Sequence, residues 1–219
     1  MKIFKTFILN CLNFLKIPEL KLPKEAIEEF DTLYNDFVSE GKGDFFEYKS
    51  SYPKYLFLNY LIENKTVLVH GSNHSDIKIF EPRDSTLFTG KPVKAVFASS
   101  DGVWSMFFAV IKRSGYRGTI RNACFTNKTK NGIKRYYFFS VNEEYKNEPW
   151  TDGTIYILPK PFFKQGGVND EWICEMEVKP LAKLSVTPKD FIFLDQVNYH
   201  NEKDSTIKTF VKAVVLNRK

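Results

Sequence analysis

The sequence predicts an α+β chain whose sheet is mixed, largely antiparallel and split, with a helical region at the N-terminal end. Three observations predict it. Apolar residues recur at helical spacing in the first third, as in Ile27, Phe30, Leu33/Tyr34 and Phe37/Val38. After Thr66 the pattern changes to short runs of β-branched and aromatic residues bounded by Gly, Ser and Asn. Aromatics make up 16% of the 219 residues, with 21 Phe and 11 Tyr, and such rings favour pleated, half-buried surfaces. The expected organisation is a helical region over residues 1–64 packed on an α+β domain over 65–219.

The elements follow in order. Residues 1–20 carry Phe4, Ile8, Cys11/Leu12 and Leu15 at helical spacing and read as an amphipathic helix. Lys5, Asn10, Asn13 and Lys16 interrupt it, so it neither reaches the roughly 18 apolar residues of a membrane span nor ends in a cleavage site. Pro23 opens the next helix, with Glu25, Glu28 and Glu29 in its early turns where they complement the helix dipole, and Gly41 and Gly43 stop it. A further helix is expected from Pro53 to Ile62. Strands are expected at 66–70 and 93–97. Ser99-Ser100-Asp101 then offers a cap for a helix carrying Val103/Trp104, Phe107/Phe108 and Ile111. Asn131-Gly132 predicts a hairpin turn between strands at 119–125 and 133–141. Strands at 153–158 and 172–178 and a final helix over 204–216 complete the expectation.

Charge and composition limit the function classes. A net charge of +6 suits an anionic partner and equally suits simple solubility. The three cysteines, Cys11, Cys124 and Cys174, are far apart, and the three histidines complete no zinc spacing. A disulfide scaffold and a structural metal are therefore not expected, and free thiols fit a reducing, cytoplasmic setting. The chain has no G-x-S-x-G, no P-loop and no G-x-G-x-x-G, which leaves serine hydrolase, ATPase and Rossmann readings without support.

Three short segments carry candidate chemistry. In Leu68-Val69-His70-Gly71-Ser72 a strand ends in an imidazole, and Gly71 lets a ligand approach the backbone. In Val96-Phe97-Ala98-Ser99-Ser100-Asp101 a strand runs into a helix, with Phe97 able to stack on a flat ring and Ser99 able to bond a sugar. In Asn169-Asp170-Glu171-Trp172-Ile173-Cys174-Glu175-Met176-Glu177-Val178, alternation along a strand puts Glu171, Glu175 and Glu177 on one face.

Taken in this order, the three segments resemble the ADP-ribosyltransferase superfamily over about residues 65–190. The likeness is to its His-type branch, which includes the poly(ADP-ribose) polymerases and tRNA 2′-phosphotransferases. His70-Gly71-Ser72 is similar to the His-Gly-Ser or His-Gly-Thr strand end of that branch. Val96-Phe97-Ala98-Ser99 is similar to its second segment, with Val-Phe where a Tyr is usual, and Asp170-Glu171-Trp172-Ile173-Cys174 to its last. Asn169 stands two positions before Glu171, which speaks against arginine modification. The resemblance implies NAD as substrate, no metal, and transfer of ADP-ribose to a protein or nucleic-acid acceptor. It also implies an oxocarbenium-like transition state stabilised by the Glu171 carboxylate. It gives His70 a ribose hydroxyl, the Gly71 backbone the nicotinamide amide, Ser72 a place in the cofactor site, and Phe97, Tyr136 or Tyr137 the stacking role. Ser99 and Arg83 complete the expected cofactor site, the latter as a bidentate partner of the pyrophosphate. RNA 2′-phosphotransfer is a further NAD-consuming reading. The alternative is a catalytically inactive nucleic-acid- or nucleotide-binding module of the same fold.

From Lys112 to Arg135 there are eight basic residues and no acidic one. Tyr116, Phe125, Tyr136 and Tyr137 lie among or just beyond them. Cations interleaved with rings on a hairpin fit a phosphate backbone and stacked bases, and Arg117, Arg121, Lys128, Lys134 and Arg135 are the expected nucleic-acid contacts.

Overall fold

The computed structural model describes residues 9–146 and 149–216, and they form an α+β chain with two mostly antiparallel sheets. The chain divides into two compact units. One takes in the chain up to Glu19, Lys112–Pro149 and the chain from Phe193, and the other takes in Leu20–Ile111 and Trp150–Ile192. This partition does not follow the expected boundary at 64/65, because the helices that precede residue 65 share a unit with the sheet that follows it.

In the larger unit, α1 (Lys24–Leu33) begins after Pro23, carries Glu25 in its first turn, and buries Ala26, Phe30 and Leu33. A further helical turn (Tyr34–Val38) leads to Gly41 and Gly43, whose φ values of 68° and 78° lie in the left-handed region that glycine adopts without strain. In α2 (Lys54–Asn64), Phe57 to Ile62 are six consecutive buried residues, so this helix is enclosed rather than amphipathic. The sheet is built from β2 (Val67–Ser72), β3 (Arg83–Thr86), β4 (Pro92–Ser99), β7 (Gly153–Pro159), β8 (Lys164–Gln165), β9 (Glu171–Cys174) and β10 (Ala182–Val186). Its order is β10-β7-β2-β4-β9-β8, with β3 paired to β4. The pairing is thinnest at its centre. β2 pairs with β7 over six residues but with β4 through one residue pair, Val69 with Ser99.

One face of this sheet buries Leu68, Val96, Ala98, Tyr156, Leu158 and Cys174 with Phe80, Phe163 and Val178 packed against them. Against the other face lies α3 (Gly102–Val110), eight of whose nine residues are buried. Asp101 caps it as expected, its carboxylate accepting the Trp104 N–H at 2.8 Å. The helix lies close on the strands. A Cβ on Gly71 would come within 1.9 Å of the Ser105 carbonyl oxygen, and one on Gly153 within 1.9 Å of that of Ala109.

The smaller unit is a four-stranded sheet centred on β6 (Gly132–Asn142). β5 (Ile120–Thr129) and β1 (Leu15–Ile17) pair with it antiparallel and β11 (Asn198–His200) parallel. The β5–β6 hairpin turns at Lys130-Asn131, with Gly132 at φ 132°. Phe14, Ala123, Tyr136 and Phe138 pack with Ala213 and Val214 from the C-terminal helical segment, which comprises α4 (Thr206–Val211) and one further turn (Lys212–Leu216).

Several expectations are corrected. Of the expected N-terminal helix, Phe4 and Ile8 lie outside the described residues, helix is present at 9–11, and Leu15 belongs to β1. The strand expected over 172–178 spans only Glu171–Cys174, and Val178 forms an isolated bridge with Phe80. β5 extends four residues beyond the expected end at 125, because the hairpin ladder runs on to the turn.

Candidate functional site

The strands bearing the three candidate segments are neighbours, β2 beside β4 and β4 beside β9. Val69, Ser99 and Glu171 stand in one row across them. Residues opposite one another in an antiparallel pair project to the same face, and successive residues of a strand to opposite faces. Glu171 therefore shares a face with Ser99, Phe97 and the would-be Cβ of Gly71. His70, one residue along from Val69, projects to the other face, beside its register partner Tyr156. The expectation that Glu171 and His70 face one cleft is not met.

Local contacts give each residue its present task. The Glu171 side chain is buried at 7% exposure. One carboxylate oxygen accepts the Phe88 N–H at 3.0 Å and the other the Gly167 N–H at 2.5 Å. It thus ties the loop between β3 and β4 to the Gly166-Gly167 loop. A carboxylate so held is a structural acceptor for two main-chain donors. Glu175 and Glu177 do not join it on a strand face. Glu175 lies beyond β9 and pairs with Lys164 at 2.7 Å.

His70 is half-buried, and its Nδ1 lies 2.7 Å from the Phe97 carbonyl oxygen, so the ring sits at the split between β2 and β4. Phe80 meets its ring edge-on at 4.9 Å and meets the Tyr156 ring at 5.0 Å. The Tyr156 hydroxyl donates to the His74 carbonyl at 2.7 Å and accepts the Ile77 N–H at 3.1 Å, fixing the loop that leaves β2. Phe80 and Tyr156 were not among the expected site residues. Tyr156 sits in an ordinary strand pattern 86 positions from His70, and only the β2–β7 register brings the two together.

Other expected cofactor contacts have structural occupations. Gly71 lies under α3, so its missing Cβ makes room for the helix rather than for a ligand. Ser72 Oγ accepts the His74 N–H at 3.1 Å. Ser99, buried at 7% exposure, accepts the Asp101 N–H at 3.0 Å and helps shape the start of α3. Phe97 is half-buried on the face away from His70. Arg83 is exposed on β3, opposite Ala95. Tyr136 and Tyr137, at 1% and 0% exposure, are core residues of the smaller unit and have no ring face to offer a nicotinamide.

The basic segment is also divided by burial. Arg121 is buried along the C-terminal segment. Its guanidinium donates to the Thr209 hydroxyl and, at 3.4 Å, to the carbonyls of Glu202 and Ser205. Arg135 is fully buried, with one guanidinium N–H donated to the Ile133 carbonyl at 3.2 Å. Neither can reach a phosphate backbone. Arg117 and Lys128 are exposed and Lys134 half-exposed, so three of the five expected contacts remain accessible.

Beside Arg121 lies a polar cluster absent from the sequence expectations. His200, buried at 3% exposure, has Nδ1 2.8 Å from Ser140 Oγ and Nε2 3.1 Å from Thr119 Oγ1. Glu202 accepts from the Thr119 N–H and from the Asn142 amide, both at 3.1 Å. Burial, and then the nearby Arg121 charge, hold the His200 pKa below its ordinary value, while Glu202, Glu143 and Asp204 oppose that shift. Ser140 is fully buried, so the Ser–His pair is a packed hydrogen bond and not a nucleophile open to substrate.

Among the described residues no three His, Cys, Asp or Glu side chains are grouped to hold a metal ion. Among them too, no helix is long and apolar enough to cross a membrane. No protein-family model, curated protein or solved structure matches this chain.

Proposed function

We propose that the seven-stranded unit is a nucleotide-binding module of ADP-ribosyltransferase-like fold that holds an NAD-type ligand beside His70 without transferring its ADP-ribose. One observation carries this reading: the row Val69–Ser99–Glu171 across β2, β4 and β9. It makes the three segments that resemble the transferase motifs adjacent strands, which supports a shared ancestry of the sheet. It also turns the Glu171 carboxylate away from the His70 face. A carboxylate that stabilises an oxocarbenium ion must stand beside the ribose being cleaved, and its lone pairs must be free to meet the growing charge. Glu171 stands on the other face, and its oxygens already accept the main-chain N–H groups of Phe88 and Gly167.

Nucleotide is favoured over nucleic acid as the ligand because the basic hairpin loses Arg121 and Arg135 to burial. His70 is the residue expected to meet a ribose hydroxyl, held in place by the Phe97 carbonyl and the Phe80 ring. Calorimetric titration of the full chain with NAD and with ADP-ribose tests the reading. Saturable binding of both, weakened about tenfold by His70→Ala through loss of one hydrogen bond to a ligand, is expected. Absence of binding, or binding indifferent to His70→Ala, would overturn it.

A further inference from the structure

Away from His70, the segment before α2 and the turn after β10 border an open surface cavity of about 530 Å³ within the larger unit. That volume is in the range of small-molecule sites. Tyr52, Pro53 and Ile192 give it apolar wall, and Ser51, Tyr55 and Lys189 give it polar wall.

The hydrogen bonds already made around the cavity decide what it can still accept. Several of the acceptors are already engaged. Asp190 Oδ2 takes the Lys54 ammonium at 3.0 Å, the Thr187 N–H at 2.7 Å and the Thr187 hydroxyl at 3.1 Å. Glu29 takes the Ser50 hydroxyl at 2.5 Å, and Ser50 Oγ in turn accepts the Tyr52 N–H at 3.2 Å. The Tyr48 hydroxyl is turned inward to the Tyr52 carbonyl at 2.8 Å.

The Ser51 hydroxyl, the Tyr55 hydroxyl and the Lys189 ammonium also line the cavity and can donate to a ligand. Burial pushes the Tyr55 pKa up, which keeps its proton on the oxygen and its donor role intact at neutral pH. With the Lys54 ammonium paired to the Asp190 carboxylate, the Lys189 ammonium leaves the lining with one excess positive charge, and beside it the two hydroxyl donors complement a ligand negative in charge. The cavity is larger than a bare oxyanion needs, and Tyr52, Pro53 and Ile192 add apolar surface for a ring-sized body.

We propose that this cavity binds a small organic phosphate, its phosphoryl oxygens received by Ser51, Tyr55 and Lys189 and its ring-sized body lying against Tyr52, Pro53 and Ile192. The site is separate from the His70 site and does not depend on the reading given above.

Titration of the full chain with phenyl phosphate, inorganic phosphate and phenol tests it. Phenyl phosphate is expected to bind saturably, at least tenfold more tightly than either fragment. Lys189→Ala should weaken it about tenfold and Tyr55→Phe severalfold, in line with loss of a charge-assisted and a neutral hydrogen bond. Both side chains are at the surface of the cavity, so the variants should unfold at the wild-type temperature. His70→Ala should leave phenyl phosphate binding unchanged, which separates this site from the nucleotide site. Failure of phenyl phosphate to bind, phenol binding as tightly as phenyl phosphate, or affinity unchanged in both cavity variants would overturn the proposal.

Discussion

Glu171 and Gly71 were both expected to serve a cofactor, and their contacts give each a structural task. Glu171→Gln keeps the shape of the side chain but sets an amide NH2 against one of two buried main-chain N–H donors. The expected outcome is a stability loss of about 1–3 kcal/mol, read from urea unfolding. Gly71→Ala places a methyl group where the Ser105 carbonyl oxygen stands 1.9 Å away, so strand or helix must shift. A loss of about 3 kcal/mol or more, or failure to fold, is expected in the same measurement. Were the space at Gly71 there for a ligand alone, the alanine variant would fold normally and lose only binding. His200 gives a pH prediction. Its folded pKa lies below the 6.5 of the free side chain. The unfolded chain therefore binds more protons in that interval, and stability rises with pH across it. The contribution is complete above pH 6.5. It begins to fall as pH drops below 6.5 and is lost once pH passes below the folded value. Urea midpoints measured between pH 5 and pH 7.5 should fall on the acid side, and His200→Gln should flatten that slope.

Local chemistry made several elements legible in the sequence, and tertiary packing hid others. Asp101 at the cap of α3, Pro23 before α1 and Asn131-Gly132 at the hairpin are local signals that act through the neighbouring backbone; the first two elements stand where their signals pointed, and the hairpin turns one residue earlier, at Lys130-Asn131. β9 ends at Cys174 because the chain then leaves the sheet to bridge Phe80, and the alternation of Glu171, Ile173, Glu175 and Glu177 carried no sign of that departure. The basic run on β5 and β6 was readable as charge, but its burial was not. Arg121 and Arg135 are buried on β5 and β6, and only the placement of α4 and the loop after β11 shows Arg121 to be an internal tie. Arg121→Ala removes that tie between β5 and the C-terminal segment and leaves their oxygens unpaired. A loss of about 2–4 kcal/mol is expected, with hydrogen exchange accelerated first in α4. Unchanged protection of α4 would show that apolar packing alone holds it.

At the scale of the whole molecule, the chain builds two sheets by returning to each unit after leaving it, so the unit boundaries at 19/20, 111/112, 149/150 and 192/193 fall where no change of composition marks them. The three segments were expected to converge, and they lie on neighbouring strands. The face on which each side chain falls was not legible, because it turns on the one-residue register between β2 and β4. That register is the foundation of the functional account. The most direct test is incubation of the full chain with NAD labelled in the nicotinamide half, followed by separation of bound NAD from free nicotinamide. Intact NAD recovered with the protein, with no free nicotinamide from wild type or Glu171→Gln, is the predicted result. Nicotinamide released by the wild-type chain and abolished in a folded Glu171→Gln variant would contradict it.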